Sequence, residues 1–262
     1  MEFLYIYLVL FAYFMVWFII AQIKKNNGLI DIAWGASFVV TAISSFVLSG
    51  EFNFTKLIML QVVILWGMRL SLYLFKRNWN KEEDFRYQAM RKAWKTNVKL
   101  KAFFKVFVAQ SLFSYVISLP IIFTNLYSTP LTNLIQVVVL VVGVVIFLIG
   151  FIFEVLADFQ LNEFKKDPNN KGKILKTGVW SISRHPNYFG EATLQWGMGI
   201  IAISSLVPIS FIALISPMII TLLLRFVSGV PLLEKKYEGN LEFEEYKKTT
   251  PIFVPFIKKK QL

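Results

Sequence analysis

The segment Ser181-Ile-Ser-Arg-His-Pro-Asn-Tyr-Phe-Gly-Glu191 sets the chain's one histidine beside an arginine, an amide, a phenol and a carboxylate, at the mouth of a long apolar stretch. Arg184 and His185 offer donors that suit a phosphate. Asn187 and Glu191, four residues apart, share one helix face and can reach a ribose or an amide, with Tyr188 beside them. Pro186 and Gly190 restrict and relax the backbone on either side. By residue type the segment reads as an anionic-ligand site at a membrane surface. The competing reading of His185 is a structural histidine that holds the loop.

Other ionisable residues repeat this helical spacing. Asp31 and Trp34 lie three apart, Arg69 and Tyr73 four apart, Glu154 and Asp158 four apart, and Arg225 stands near the end of an apolar run. A charge at the bilayer centre costs about 2.5–3.5 kcal/mol on insertion scales, so such residues face a cavity or a partner. If their helices converge, they form one polar pocket on the cytoplasmic side. If each lies close to an interface, it snorkels to water instead.

The elements that must position these residues are membrane spans. Hydrophobic residues make up 56% of the chain, against about 45–50% in a soluble domain. Apolar runs near residues 3–23, 29–49, 56–76, 103–127 and 132–157 each approach the ~20 residues a crossing needs. The run from Ala192 to Leu233 is too long for one crossing and is interrupted at Ser204-Ser-Leu-Val-Pro208, so it is read as two helices, 190–206 and 209–232. The expected fold is an all-α integral membrane protein with seven transmembrane helices, a single polytopic domain over residues 1–262. The first run has no basic flank before it and no small-residue cleavage site before Lys24, and is read as a span rather than a signal peptide.

The net charge of +12 follows from topology: basic residues gather in 24–28, 76–101, 158–188 and 234–262, whereas the alternate loops carry little beyond Lys56. Lys and Arg stay on the cytoplasmic side, which places the amino terminus outside and the carboxy terminus in the cytoplasm. Attraction to anionic lipid headgroups is compatible with this, and no nucleic-acid partner is expected. Without cysteine there is no disulfide, thiolate metal site or cysteine nucleophile. One histidine also argues against a multi-histidine metal centre, and no metal is expected. Asp167-Pro-Asn-Asn-Lys-Gly172 reads as a turn, and the tail after Pro231 as a surface helix bearing Tyr237, Phe243 and Tyr246.

Trp180-Ser-Ile-Ser-Arg-His-Pro-Asn-Tyr-Phe-Gly-Glu191, preceded by Glu154-Val-Leu-Ala-Asp-Phe-Gln-Leu-Asn-Glu-Phe-Lys165, resembles the carboxy-terminal half of the steroid 5-alpha-reductase superfamily, and most of all a bacterial branch of it. Asp31-Ile-Ala-Trp-Gly35, Trp66-Gly-Met-Arg69, Glu83-Asp-Phe-Arg-Tyr87 and Ser228-Gly-Val-Pro-Leu-Leu-Glu234 extend the similarity over most of the chain. The resemblance implies a seven-helix membrane reductase that uses NADPH to reduce a carbon-carbon double bond conjugated to a ketone. It also implies a cytoplasmic cofactor site built from Asp158, Asn187 and Glu191. Glu154 stands there in place of an asparagine and Lys165 in place of an arginine. Arg77 matches a basic phosphate contact and Arg225 an arginine of the last span. Arg69, Arg184, His185 and Tyr188 complete the expected cofactor set.

One departure bears on the chemistry. The steroid enzymes polarise the ketone with a Gln-Glu pair on span two and a tyrosine on span three, and the Gln-Glu pair is missing here. Asp31 and Tyr73 are the groups available as catalytic residues, the aspartate being able to donate a hydrogen bond if a dry pocket keeps it protonated. The expected substrate is a lipophilic, steroid- or isoprenoid-like enone entering from the bilayer, and the expected location a bacterial inner membrane, with no oligomeric state implied. The alternative enzyme is an S-adenosylmethionine-dependent methyltransferase of the isoprenylcysteine carboxyl type, which shares an Arg-His-Pro-x-Tyr-x-Gly element and a late Glu followed by Tyr-x-x-Tyr-like spacing. A third reading is a lipid-binding or scaffolding protein that keeps the fold without the chemistry.

Overall fold

A computed structural model describes residues 1–256. Residues 257–262, the end of the basic segment at 234–262, lie outside the described residues. Among the described residues all regular structure is helical: α1 (Glu2–Ile23), α2 (Ile30–Ser49), α3 (Phe54–Asn78), α4 (Phe85–Trp94), α5 (Val98–Ala102), α6 (Ala109–Ile117), α7 (Leu119–Tyr127), α8 (Leu134–Lys166), α9 (Pro186–Ala202), α10 (Ile215–Leu222), α11 (Val230–Glu234) and α12 (Leu241–Thr249), joined by short 3-10 and π turns. Among the described residues six helical stretches are long and apolar enough to cross a membrane: Glu2–Ile23, Asn27–Ser49, Phe54–Asn78, Val98–Ile117, Leu134–Lys166 and Pro208–Tyr237. The chain is thus a multi-pass membrane protein.

The expected spans and the observed helices differ in three places. The predicted span 190–206 corresponds to α9, whose 17 residues rise about 25 Å, short of a ~30 Å hydrocarbon core. The predicted span 103–127 starts earlier, at Val98, and is interrupted between α6 and α7. There Pro120 lacks the N–H that an unbroken helix would require. The predicted 132–157 continues to Lys166, because Phe159-Gln-Leu-Asn-Glu-Phe-Lys165 is polar yet helix-compatible. It stops where Asp167 Oδ1 accepts from the Asn169 N–H at 2.9 Å, ahead of a 3-10 turn opening at Pro168.

The chain divides into two compact units, one of residues 1–137 with 201–213, the other of residues 138–200 and the chain from Leu214 onward. In the first, α1, α3, α6 and α7 all pack on α2. A Cβ added to Gly35 would lie 2.5 Å from the Gly67 carbonyl oxygen, so the α2 and α3 backbones meet as small residues permit in membrane helices. Ser71 Oγ closes the same contact, donating to the Ile32 carbonyl at 2.8 Å and accepting from the Ala36 N–H at 2.7 Å. Higher up, Ser37 meets Ser114 Oγ at 2.6 Å and Asn125 donates to Ser45 Oγ at 2.7 Å. These polar groups pair across helices because hydrocarbon offers them no water.

In the second unit α8 and α9 make backbone contact. A Cβ at Gly190 would fall 2.5 Å from the Glu154 nitrogen, and one at Gly150 2.3 Å from the Leu194 nitrogen. On its other side α9 meets α10, where Trp196 Nε1 donates to Thr221 Oγ1 at 3.2 Å and Pro217 lies against Gly199. Asn187 and Glu191, the chemistry-bearing residues of α9, lie on the edge of the face that packs on α8.

Candidate functional site

The Arg-His segment is positioned by α8. The Val179 N–H donates to Gln160 Oε1 at 3.0 Å and Trp180 Nε1 to the Ala157 carbonyl at 3.2 Å, so the turn before the motif is fastened beside Asp158. Proline at the first position of α9 suits a helix start, where a missing N–H costs nothing. Arg184 then turns inward. Its Nε donates to Glu234 Oε1 at 2.9 Å, Nη2 to Glu234 Oε2 at 3.4 Å, and Nη1 to the Thr250 and Lys247 carbonyls at 2.9 and 3.4 Å. Its backbone N–H reaches the Pro251 carbonyl at 2.9 Å.

His185 Nε2 lies 3.0 Å from the same Glu234 oxygen, and its ring stacks on Tyr188 with centroids 5.8 Å apart. The Tyr246 hydroxyl donates to the carbonyls of Trp180 and Ser183, and Ser183 Oγ to that of Phe253 at 2.7 Å. Burial raises the Tyr246 phenol above its ordinary value, so it remains a donor at neutral pH. Arg184 and His185, expected from sequence to hold a phosphate, thus clasp α11, α12 and the chain after them. The Arg184 side chain is 4% exposed, and its charge is answered by Glu234.

Carboxylates stand on both α8 and α9. Glu154 and Asp158 are buried on α8. Glu191, partly buried on α9, lies within electrostatic reach of Asp158. Asn187 Oδ1, one turn before Glu191, is buried with no hydrogen-bond partner. Lys165 lies exposed near the end of α8, and the Arg225 guanidinium sits 4.8 Å over the Phe226 ring. Among the described residues no group of three His, Asp or Glu side chains converges as a metal ion would require.

In the first unit Asp31 pairs with α4: Oδ2 accepts from Arg86 Nη2 at 2.8 Å and Oδ1 from the Tyr87 hydroxyl at 2.7 Å. Both oxygens act as acceptors, which is the chemistry of an ionised carboxylate. Burial and the Asp31 charge push the Tyr87 phenol well up. Beside it, Glu83 accepts from Arg91 Nε and Nη2, each at 2.9 Å, and from the Asn27 N–H at 2.7 Å. Burial opposes charge on Glu83, but the Arg91 and Asn27 hydrogen bonds and the Arg91 charge outweigh it and hold the carboxyl below the usual range. Tyr73 has two guanidinium groups near its ring, Arg69 at 5.4 Å and Arg77 at 5.6 Å. Asp31 thus anchors a surface helix, and Tyr73 lies in a cation–π stack.

Sequence reasoning passed over Glu234 and Tyr246 as site residues. Glu234 stands 50 positions after Arg184, beyond the reach of any helical spacing, and the signal for it was the late glutamate shared with the methyltransferase alternative.

The chain matches the family described as "Protein of unknown function (DUF1295)" over residues 17–250, and it belongs to that family. It is also 39% identical over 61 residues to the "Probable O-methyltransferase ustE" of Ustilaginoidea virens, a stretch covering 23% of this chain and 21% of that protein. No solved structure matches it.

Proposed function

We propose that this chain is a membrane-embedded methyltransferase that moves a methyl group from S-adenosylmethionine to an oxygen of a lipophilic acceptor. The observation that carries the reading is the charge of the second unit: Glu234 pairs with Arg184 and contacts His185, while Glu154, Asp158 and Glu191 stand on α8 and α9. Carboxylates favour a sulfonium cation with its ammonium group and oppose the phosphates of a dinucleotide. The 61-residue likeness to a protein named as an O-methyltransferase points the same way.

The bound cofactor would supply an electrophilic methyl on positively charged sulfur. Glu191 takes the proton of the acceptor hydroxyl. The acceptor oxygen would take that methyl group, the electron pair of the C–S bond staying with sulfur. Asn187, with its unpaired Oδ1, would accept from the cofactor's ammonium or ribose, and Asp158 and Glu154 would stand against the positive charge on sulfur. The basic loops face the cytoplasm and the amino terminus the opposite side, in accord with the distribution of Lys and Arg.

Hydride transfer from NADPH to an enone is the competing reading; against it, Arg184, the motif's buried cation, is already paired with Glu234. Native mass spectrometry of the solubilised full chain, incubated with each cofactor in turn, separates the two. A retained S-adenosylmethionine supports methyl transfer, and a retained NADPH with no S-adenosylmethionine overturns it.

A further inference from the structure

Gln195 and Thr193 are the polar residues in α9 that nothing above uses, and Thr193 Oγ1 is satisfied by the Phe189 carbonyl at 2.7 Å. Gln195 is 1% exposed, and neither Oε1 nor Nε2 has a hydrogen-bond partner, in the middle of a helix whose neighbouring residues are Leu194 and Met198. A buried amide left wholly unsatisfied costs free energy that a leucine would not. The amide is therefore explained by something that occupies its donor and acceptor when the protein works.

Helix geometry says where that ligand lies. Gly190, Leu194 and Gly197 face α8, and Trp196 and Gly199 face α10. At 3.6 residues per turn, Asn187, Glu191 and Gln195 form a stripe between these two faces, each one turn, about 5–6 Å, beyond the last. The stripe runs from the polar start of α9 into its apolar middle. A cofactor's charged groups belong at the start, and at Gln195 only a largely apolar molecule is at home.

We propose that Gln195 determines acceptor specificity: it binds a second polar oxygen of a lipophilic phenol or enol whose reacting hydroxyl lies at Glu191. That oxygen, a carbonyl, stands about one helical turn, ~5–6 Å, from the hydroxyl. This inference rests on the methyl-acceptor reading of the same face.

The probes are heptyl 4-hydroxybenzoate, which carries both groups, and 4-octylphenol, which lacks the carbonyl. Each is titrated into the full chain in lipid nanodiscs, with intrinsic tryptophan fluorescence as the readout. Wild-type protein prefers the hydroxybenzoate by about tenfold, the worth of one otherwise unmet buried donor, and Gln195→Leu erases the preference. The ligand-free Gln195→Leu protein melts at or above the wild-type temperature, and Gln195→Met reports the same if the leucine variant does not fold. No preference in the wild type, a preference surviving in the variants, or variants that melt well below wild type overturns the proposal, the last by marking Gln195 as a water-satisfied structural amide.

A parallel titration of wild type with S-adenosylmethionine keeps the two ideas apart. Cofactor binding without acceptor preference sinks the Gln195 assignment alone. Preference without cofactor binding sinks the methyltransferase reading and leaves the Gln195 site standing.

Discussion

Glu234→Ala removes the acid that answers a guanidinium whose side chain is 4% exposed. What remains around Arg184 is the Thr250 carbonyl at 2.9 Å and the longer Lys247 contact at 3.4 Å, neither carrying charge. Deleting one partner of a buried ion pair costs about 3–5 kcal/mol, because the other charge is stranded. The lower end applies here, since Glu234 itself is 18% exposed and water can reach the vacated space. The reverse deletion, Arg184→Ala, is milder: Glu234 keeps His185 at 3.0 Å and its access to solvent. Thermal unfolding in detergent should therefore show Glu234→Ala about 6–12 °C below wild type, taking ~3 kcal/mol and roughly 2–4 °C per kcal/mol at this size. Arg184→Ala should fall by less, and Glu234→Gln, which keeps an acceptor without the charge, should lie between. An Arg184→Ala loss equal to or larger than that of Glu234→Ala would refute the claim that the stranded cation dominates.

Three further outcomes follow from the geometry. Gly190→Ala forces a Cβ to within 2.5 Å of the Glu154 backbone and should cost ~1–3 kcal/mol as α8 and α9 separate, read by the same melting assay; an unchanged melting temperature contradicts the contact. Asp31→Ala removes the partner of Arg86 Nη2 and of the Tyr87 hydroxyl and leaves Arg86 with Asp84 as its ion-pair partner, so trypsin should cut at Arg86 or Arg91 several-fold faster. A cutting rate equal to wild type would argue against Asp31 as the anchor of α4. Glu83 has a folded value below its unfolded one, so the stability from its ionised form is complete above its ordinary value of about 4.5 and is lost as pH falls below that. Glu83→Gln should therefore flatten the acid limb of the stability profile below about pH 4.5, and an acid limb as steep as wild type's would count against the Glu83–Arg91–Asn27 cluster.

The helices were legible in the sequence wherever apolar length alone decided them, as in α1, α2, α3 and the first part of α8. The errors came where polarity and backbone chemistry disagree. The polar end of α8 still folds as helix, and Ser118-Leu-Pro120, a break that could have been read from proline chemistry, was hidden inside a continuous apolar run. At the site, the spacing of Asn187 and Glu191 correctly put both on one side of α9, because four residues is a helical turn. The role of Arg184 was not legible, since its acid lies 50 residues on and donor type alone cannot tell a phosphate from a carboxylate. The contacts of Asp31 were not legible for a related reason: its partners, Arg86 and Tyr87, sit 55 and 56 positions away on a surface helix.

The central claim is that the carboxylates of α8 and α9 hold a cation. The most direct test is the affinity of wild-type and Asp158→Asn protein for S-adenosylmethionine and for NADPH, measured side by side in nanodiscs. The account predicts that wild type binds S-adenosylmethionine and that the variant binds it about tenfold more weakly, the worth of one ~1.4 kcal/mol ionic contact. A variant that keeps S-adenosylmethionine affinity while losing affinity for NADPH would contradict it.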